Sequence, residues 1–320
     1  MSSPTTFSFN LPTELEREVF IFALQDEVTS PIALLLVAKY VYDWLIVDLY
    51  KTVLIRSFRQ DISMDGIETY GHHTRHLLVE YGVDWHEQYG QHGHDVGDFI
   101  SHFPNVYNIA LWSLDRSGNE IQSLIELDHV THLSLNIMDL KVDQQKDYYL
   151  RAMYTPAEDP ELFEWVAELE RKFAEFSRRV THLEIPECVR EAEDLHHLKY
   201  FTGLTHLCVL EHYADGVFEH VVEVCRKVEV IVFLIGPEDG DRFGEEKRFS
   251  VHLRIFELVK ETDSFMEGLE DFGIEKSIRE KIVPIHCRGF VAGWKRCAQG
   301  SEDMWALADG VIQERLRGRG

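Results

Sequence analysis

Four histidines recur at the same place in a repeated phrase. His132 stands in Val130-Thr-His-Leu133-Ser-Leu135, His182 in Val180-Thr-His-Leu183-Glu-Ile185 and His206 in Leu204-Thr-His-Leu207-Cys-Val209. His76 sits in the looser copy Thr74-Arg-His-Leu77-Leu-Val79. A strand turns successive side chains to opposite faces. Each His, and the residue two positions on (Glu184 among them), therefore faces one way, and the apolar fourth and sixth residues face the other. On neighbouring strands the rings of His182 and His206 would lie about 4.8 Å apart. Such a row can bind a metal, respond to pH or receive an acidic ligand. The plainer reading is a polar-aromatic surface copied by duplication, and that is the expectation adopted here.

A second histidine-rich stretch holds His72-His73, His86 and His92-Gly-His94-Asp95. Imidazoles beside a carboxylate are metal-ligand types. Yet Gly90, Gly93 and Gly97 surround them, and no matched second pair follows at zinc spacing. This stretch reads as a solvated loop. The chain has no GxSxG, P-loop, HExxH or GxGxxG motif, and nothing supplies a nucleophile with its base. The expectation is a non-enzyme with no catalytic residue, no metal and no cofactor.

The elements that must position the row follow from its spacing. Looser copies of the phrase stand at Val106-Tyr-Asn-Ile109-Ala-Leu111 and Val228-Glu-Val-Ile231-Val-Phe233. The fourth residues are Leu77, Ile109, Leu133, Leu183, Leu207 and Ile231, at intervals of 32, 24, 50, 24 and 24, with Val53 another 24 before Leu77. A period near 24 falls in the roughly 20–29 residues of leucine-rich repeats. One strand cannot bury its apolar edge alone, but stacked copies with helices returning behind them can. The fold class is therefore α/β: a leucine-rich-repeat-like solenoid with a parallel sheet and return helices.

Return helices are expected over 96–102, 119–127, 191–201 and from Asp215-Gly216. The interval of 50 reads as one repeat carrying an insertion near 139–178. Within it, Leu162, Trp165, Val166, Leu169, Phe173 and Phe176 mark an amphipathic helix, and Tyr148, Tyr149 and Tyr154 an aromatic loop for a partner. The strand at 228–235 is apolar throughout, as one covered on both faces would be. Val251 to Ile255 reads as the next strand, 263–281 as an acidic helical region, and Ile282 to Ile285 as a final edge that tolerates Pro284. A helical cap with Trp294 and Trp305 closes the chain, and Arg315, Arg317 and Arg319 suit its negative end.

Ahead of the repeats, Leu11-Pro12-Thr-Glu14-Leu15 starts a helix carrying Val19, Phe20, Phe22 and Leu24. Pro31 opens a second helix, 32–39, apolar nearly all round and so expected to be buried. A third helical piece spans 40–50, and a polar linker covers 59–69. Leu11, Pro12, Glu14, Leu15, Val19 and Phe20, then Leu35, Val37, Lys39 and Trp44, together resemble an F-box. More narrowly, the chain is similar to the F-box-like leucine-rich-repeat proteins of mushroom-forming fungi. The ending departs from the family pattern: Ala38-Lys39-Tyr40 stands there, with the tryptophan displaced to Trp44.

The resemblance implies a small all-α F-box-like domain over 1–56 and the solenoid over 57–320. It implies docking of a Skp-family adaptor of a cullin ubiquitin ligase through Leu11, Pro12, Leu15, Val19, Phe20, Leu35 and Val37. The repeats would then bind a target protein, with His76, His132, His182, Glu184 and His206 on the recognition face. The competing reading of 1–56 is a hydrophobic cap that closes the solenoid. Docking requires Leu11, Pro12 and Phe20 to be partly exposed, whereas a cap would bury them. A scaffold with no ligase link ranks second as a function, and a metal-dependent enzyme built on the histidines third.

Composition narrows the partners. Against 56 Asp and Glu stand 32 Lys and Arg, a formal net charge of −24. That disfavours nucleic acid and anionic membranes, both of which bind through basic side chains. The five cysteines (Cys188, Cys208, Cys225, Cys287, Cys297) are odd in number and form no CxxC pair, which fits a reducing compartment. No basic-plus-apolar leader and no apolar run of about 18 residues is present. The expected setting is the cytoplasm or the nucleus.

Overall fold

In the computed structural model the apolar register marks of the phrase lie side by side. Val53, Leu77, Ile109, Leu133, Leu183, Leu207 and Ile231 are successive Cα partners along seven parallel strands. The structure describes residues 11–25, 31–55, 64–80, 96–112, 120–135, 160–186, 192–210, 217–235, 256–258, 269–270, 274–300 and 303–318. The strands are β1 (Thr52–Ile55), β2 (His76–Glu80), β3 (Asn108–Trp112), β4 (His132–Leu135), β5 (His182–Ile185), β6 (His206–Leu210), β7 (Val230–Ile235), β8 (Phe256–Leu258) and β9 (Ile282–Cys287). The sheet runs in sequence order from β1 to β7, then β9 and β8. Eight strands are parallel; β8 alone of these nine pairs antiparallel.

A repeated corner fixes the stacking. The carbonyl of Thr131 accepts the N–H groups of both Thr181 and His182, and the carbonyl of Thr181 accepts those of Thr205 and His206. The carbonyls of Tyr107 and Thr205 take the corresponding N–H groups of the next strand in the same way. Thus the residue before each His supplies the acceptor for the following repeat. Gly203, just before β6, passes so close to the Arg178 carbonyl that a Cβ has no room.

Behind the sheet lie α4 (Met64–Tyr70), α5 (Val96–Ser101), α6 (Glu120–Ile125), α7 (Pro160–Arg179), a 3₁₀ segment (Ala192–Tyr200), α8 (Val217–Val224) and the short α9 (Lys276–Arg279). Their Ile67, Phe99, Ile100, Leu124, Phe173, Phe176, Leu198, Phe218, Val221 and Ile278 join the register marks in one core. Burial of each such side chain contributes roughly 1.5–3 kcal/mol. On the opposite face α10 (Phe290–Gln299) and α11 (Met304–Arg317) cover a second core. It contains Leu78, Ala110, Trp112, Cys208, Leu210, Val232 and Leu234, with Trp294, Met304 and Ala308 from the helices. The sheet is therefore sandwiched over this part, and the phrase's second face is not an open surface there.

At the N-terminus α1 (Thr13–Gln25), α2 (Pro31–Leu35) and α3 (Lys39–Tyr50) pack on one another. Val41, Leu45 and Ile46 of α3 are buried. Tyr40 donates its hydroxyl to Glu16, and Arg17 reaches Asp48, tying α3 to α1. Since β1 is already part of the sheet, the helices and the repeats join without a break at Thr52.

Several expectations are corrected. The second helix ends at Leu35 and is not buried, because nothing in the described chain covers its outer side: Ile32, Leu36 and Val37 are exposed. The polar linker contains α4, whose Ile67 is buried and anchors it to the main core. The return helix expected over 191–201 is present as a 3₁₀ helix, Ala192–Tyr200. The edge assignment at Ile282–Ile285 fails, since β9 is interior, between β7 and β8. Ile231 pairs with Ile282, 51 residues on. Pro284 fits because the Ile231 N–H bonds the Lys281 carbonyl, which turns the Pro284 nitrogen away from β7. There it lies past the last described pair of β8, Leu258 with Ile285.

Residues 251–255, the aromatic stretch 148–154, all of 81–95 (with His86, His92 and His94) and Cys188 lie outside the described residues, as does most of the acidic region 263–281 before Ile274. Among the described residues no helix is long and apolar enough to cross a membrane.

Candidate functional site

The histidine row exists, and it is tighter than strand spacing alone requires. His76 pairs with Asn108, Asn108 with His132, His132 with His182, and His182 with His206. The rings of His132 and His182 stack at 4.0 Å with a 10° interplanar angle, and those of His182 and His206 at 4.1 Å and 14°. Three imidazoles thus form one column, since β4 and β5 are direct neighbours across the long interval.

Threonine sets the tautomer. The Thr181 hydroxyl donates to the Thr131 carbonyl at 3.3 Å and contacts His182 Nδ1 at 2.9 Å. The Thr205 hydroxyl donates to the Thr181 carbonyl at 3.2 Å and contacts His206 Nδ1 at 2.7 Å. A hydroxyl has one proton to give, so in each pair Nδ1–H donates to the threonine. The Nε2 of neutral His182 is then a bare acceptor. The Nε2 of His206 meets Asp309 of α11 at 3.0 Å. His206 thus bridges Thr205 and Asp309 through its two ring nitrogens.

Burial holds His182 down to about 2, reinforced by its neighbours His132 and His206. His76 is held at about 4, mainly by burial, with its Nε2 against the Tyr107 hydroxyl at 2.9 Å. His132 is lowered by burial, while Asp303 pulls the other way. These three are neutral imidazoles at physiological pH.

Above the row, α10 and α11 roof a pocket of about 140 Å³. Its floor is His132, Ser134, His182 and Glu184; its roof includes Trp294, Asp303 and Trp305. Trp305 stands edge-on to His182 at 5.1 Å and to His206 at 5.8 Å. Trp112 donates its indole N–H to the Ser134 hydroxyl at 2.7 Å, and Ser134 in turn bonds Glu184. Burial pushes the Glu184 carboxyl up to about 7 despite that bond. Cys287 and Cys297 also line the pocket, with Cys208 nearby; burial raises all three thiols, which stay protonated and unreactive.

The five residues expected on the recognition face are brought together. His76, His132, His182 and Glu184 line this pocket, and His206 adjoins it under Trp305. The roof residues Trp294, Asp303, Met304 and Trp305 were not singled out as site residues from sequence. The signals that could have found them are the all-apolar β7, which demands cover on both faces, and the tryptophans of the closing helices. Among the described residues no group of three His, Cys, Asp or Glu is placed to hold a metal ion.

A second candidate lies on the N-terminal helices. Leu11, Leu15, Val19, Phe22, Ile32, Leu36 and Val37 are exposed by 50–79% of their surface, apolar side chains with no cover among the described residues. Pro12 is exposed as well, while Phe20 and Leu35 are half-buried. Neither a family model nor a curated protein matches the chain.

Proposed function

We propose that the chain is a non-catalytic receptor whose N-terminal helices dock the Skp-family adaptor of a cullin ubiquitin ligase, inside the cell, while the repeats hold a target protein. The observation that supports this reading is the division of labour among the three helices. α3 turns Val41, Leu45 and Ile46 inward, whereas α1, α2 and the residues flanking them leave Leu11, Leu15, Val19, Phe22, Ile32 and Val37 in water. A cap that only closed the solenoid would bury that surface. A contiguous exposed apolar patch of this kind is the usual mark of a protein-binding site. Leu11, Pro12, Leu15, Val19 and Val37 would form the contact, with Phe20 and Leu35 supporting it from beneath.

The pocket under α10 and α11 is too small for a protein segment, so this reading places the target on other surfaces of the repeats. The test is a pull-down of the full chain with the Skp-family adaptor, repeated with Leu15→Asp and Val19→Asp. Both side chains are more than half exposed, so the variants should keep the fold. Binding by the wild type and its loss in the variants is expected. No binding by the folded wild type removes the ligase link and leaves a scaffold.

A further inference from the structure

We propose that the pocket between the histidine column and the C-terminal helices binds a small organic cation, a protonated amine of about six non-hydrogen atoms. The size follows from the cavity. Its volume is about 140 Å³, and an enclosed apolar cavity of about 150 Å³ takes benzene. The chemistry follows from the walls. Among the described residues they carry two carboxyl groups, Glu184 and Asp303, and no Lys or Arg. His182 offers a bare Nε2, because the threonine hydroxyls hold its proton on Nδ1.

His182 and Glu184 stand two residues apart on one face of β5, which separates their Cα atoms by roughly 6.6 Å. An ammonium group between them donates to both at ordinary hydrogen-bond lengths. Tyr107, Trp294 and Trp305 supply aromatic rings, the surface that attracts a cation most strongly when water is excluded.

Other guests fit less well. An anion meets two carboxyls and no positive side chain. An apolar guest leaves the buried Glu184 carboxyl without compensation. A metal lacks converging ligands among the described residues. The groups that face Glu184 are the Ser134 hydroxyl, the protonated thiols of Cys208, Cys287 and Cys297, neutral His182 and, across the pocket, Asp303. Among the described residues no cation holds Glu184 ionised, so an arriving ammonium displaces its proton. This site is independent of the docking surface on α1 and α2, and the two can fail separately.

The test is titration calorimetry of the full chain with n-butylammonium, n-butanol and butyrate, which share a shape and differ in charge. The ammonium is expected to bind at least about tenfold more tightly than the alcohol, with no binding of butyrate. Its affinity should rise from about pH 5 to pH 8, with proton release near neutrality seen as a dependence on buffer ionisation heat. Glu184→Gln should weaken the ammonium about tenfold and leave the alcohol unchanged. Should that variant not fold, Trp305→Leu is read instead, with a weakening of about threefold expected. Equal binding of ammonium and alcohol, stronger binding of butyrate, unchanged affinity in folded Glu184→Gln, or no heat for the ammonium at roughly millimolar concentration each overturns the proposal.

Discussion

His206 Nε2 and Asp309 Oδ1 lie 3.0 Å apart although 103 residues separate them in the chain. The contact pins the last helix to the end of the imidazole column, and Trp305, one turn earlier on α11, sits edge-on against the same ring. The repeats and the C-terminal helices are thus joined at a polar point as well as through the second apolar core.

Asp309→Ala tests how much that point contributes. The Asp309 side chain is 52% exposed, and water screens the pair. The expected loss is small, about 0.5–1 kcal/mol in urea unfolding. A loss of several kcal/mol would mean that the contact, and not the apolar core, holds α11 in place.

Thr181→Val tests the tautomer argument. The substitution keeps the shape but removes both the bond to the Thr131 carbonyl and the acceptor for His182 Nδ1–H. The expected cost is about 1–3 kcal/mol, since a buried donor loses its partner. Nitrogen-15 spectra of the imidazoles should show His182 as the Nδ1–H form in the wild type and as a mixture in the variant. An Nε2–H signal for wild-type His182 would contradict the assignment.

Gly203→Ala probes the corner between repeats. A Cβ at Gly203 collides with the backbone carbonyl of Arg178, which cannot swing aside as a flexible side-chain end can. A loss of about 3 kcal/mol or more is expected, in the range of overpacked cores. A stability near wild type would show that the corner opens easily.

How far the sequence foretold these features depends on what each one rests on. The register of β1 to β7 was legible because the same apolar mark in the same phrase sets it whatever the interval: Leu133 pairs with Leu183 across 50 residues and Leu183 with Leu207 across 24. The neighbouring imidazoles were legible for the same reason. The roof was not. Val232 and Leu234 turn toward α10 and α11, but an apolar strand demands cover without naming what provides it. The swap of β8 and β9 was also hidden, because Ile282 stands 51 residues after Ile231, far outside the period of 24. The exposed α2 misled through composition: its residues are all apolar, yet nothing among the described residues packs over Ile32, Leu36 and Val37.

The ionisable groups of the pocket give stability a pH profile whose sign is set by two opposed windows. His76 is held at about 4, below the ordinary 6.5, so between these values the unfolded chain binds more protons than the folded one. Stability therefore rises with pH across that window and is lost as pH falls from 6.5 towards 4, by about 3 kcal/mol for this group. His182, held at about 2, acts in the same direction and extends the loss to lower pH. Glu184 does the reverse. Its folded value of about 7 lies above the ordinary 4.5, so the folded state binds more protons between them, and stability falls as pH rises through that window. The penalty is complete above pH 7. Glu184→Gln removes it, and the variant should exceed the wild type by about 2–3 kcal/mol near pH 8 and match it near pH 4. His182→Phe, which keeps the ring in the column, should flatten the acid limb. Urea midpoints for the three proteins at several pH values check both arms. A Glu184→Gln variant no more stable than the wild type at alkaline pH would mean that the carboxyl is solvated and the pocket open to water.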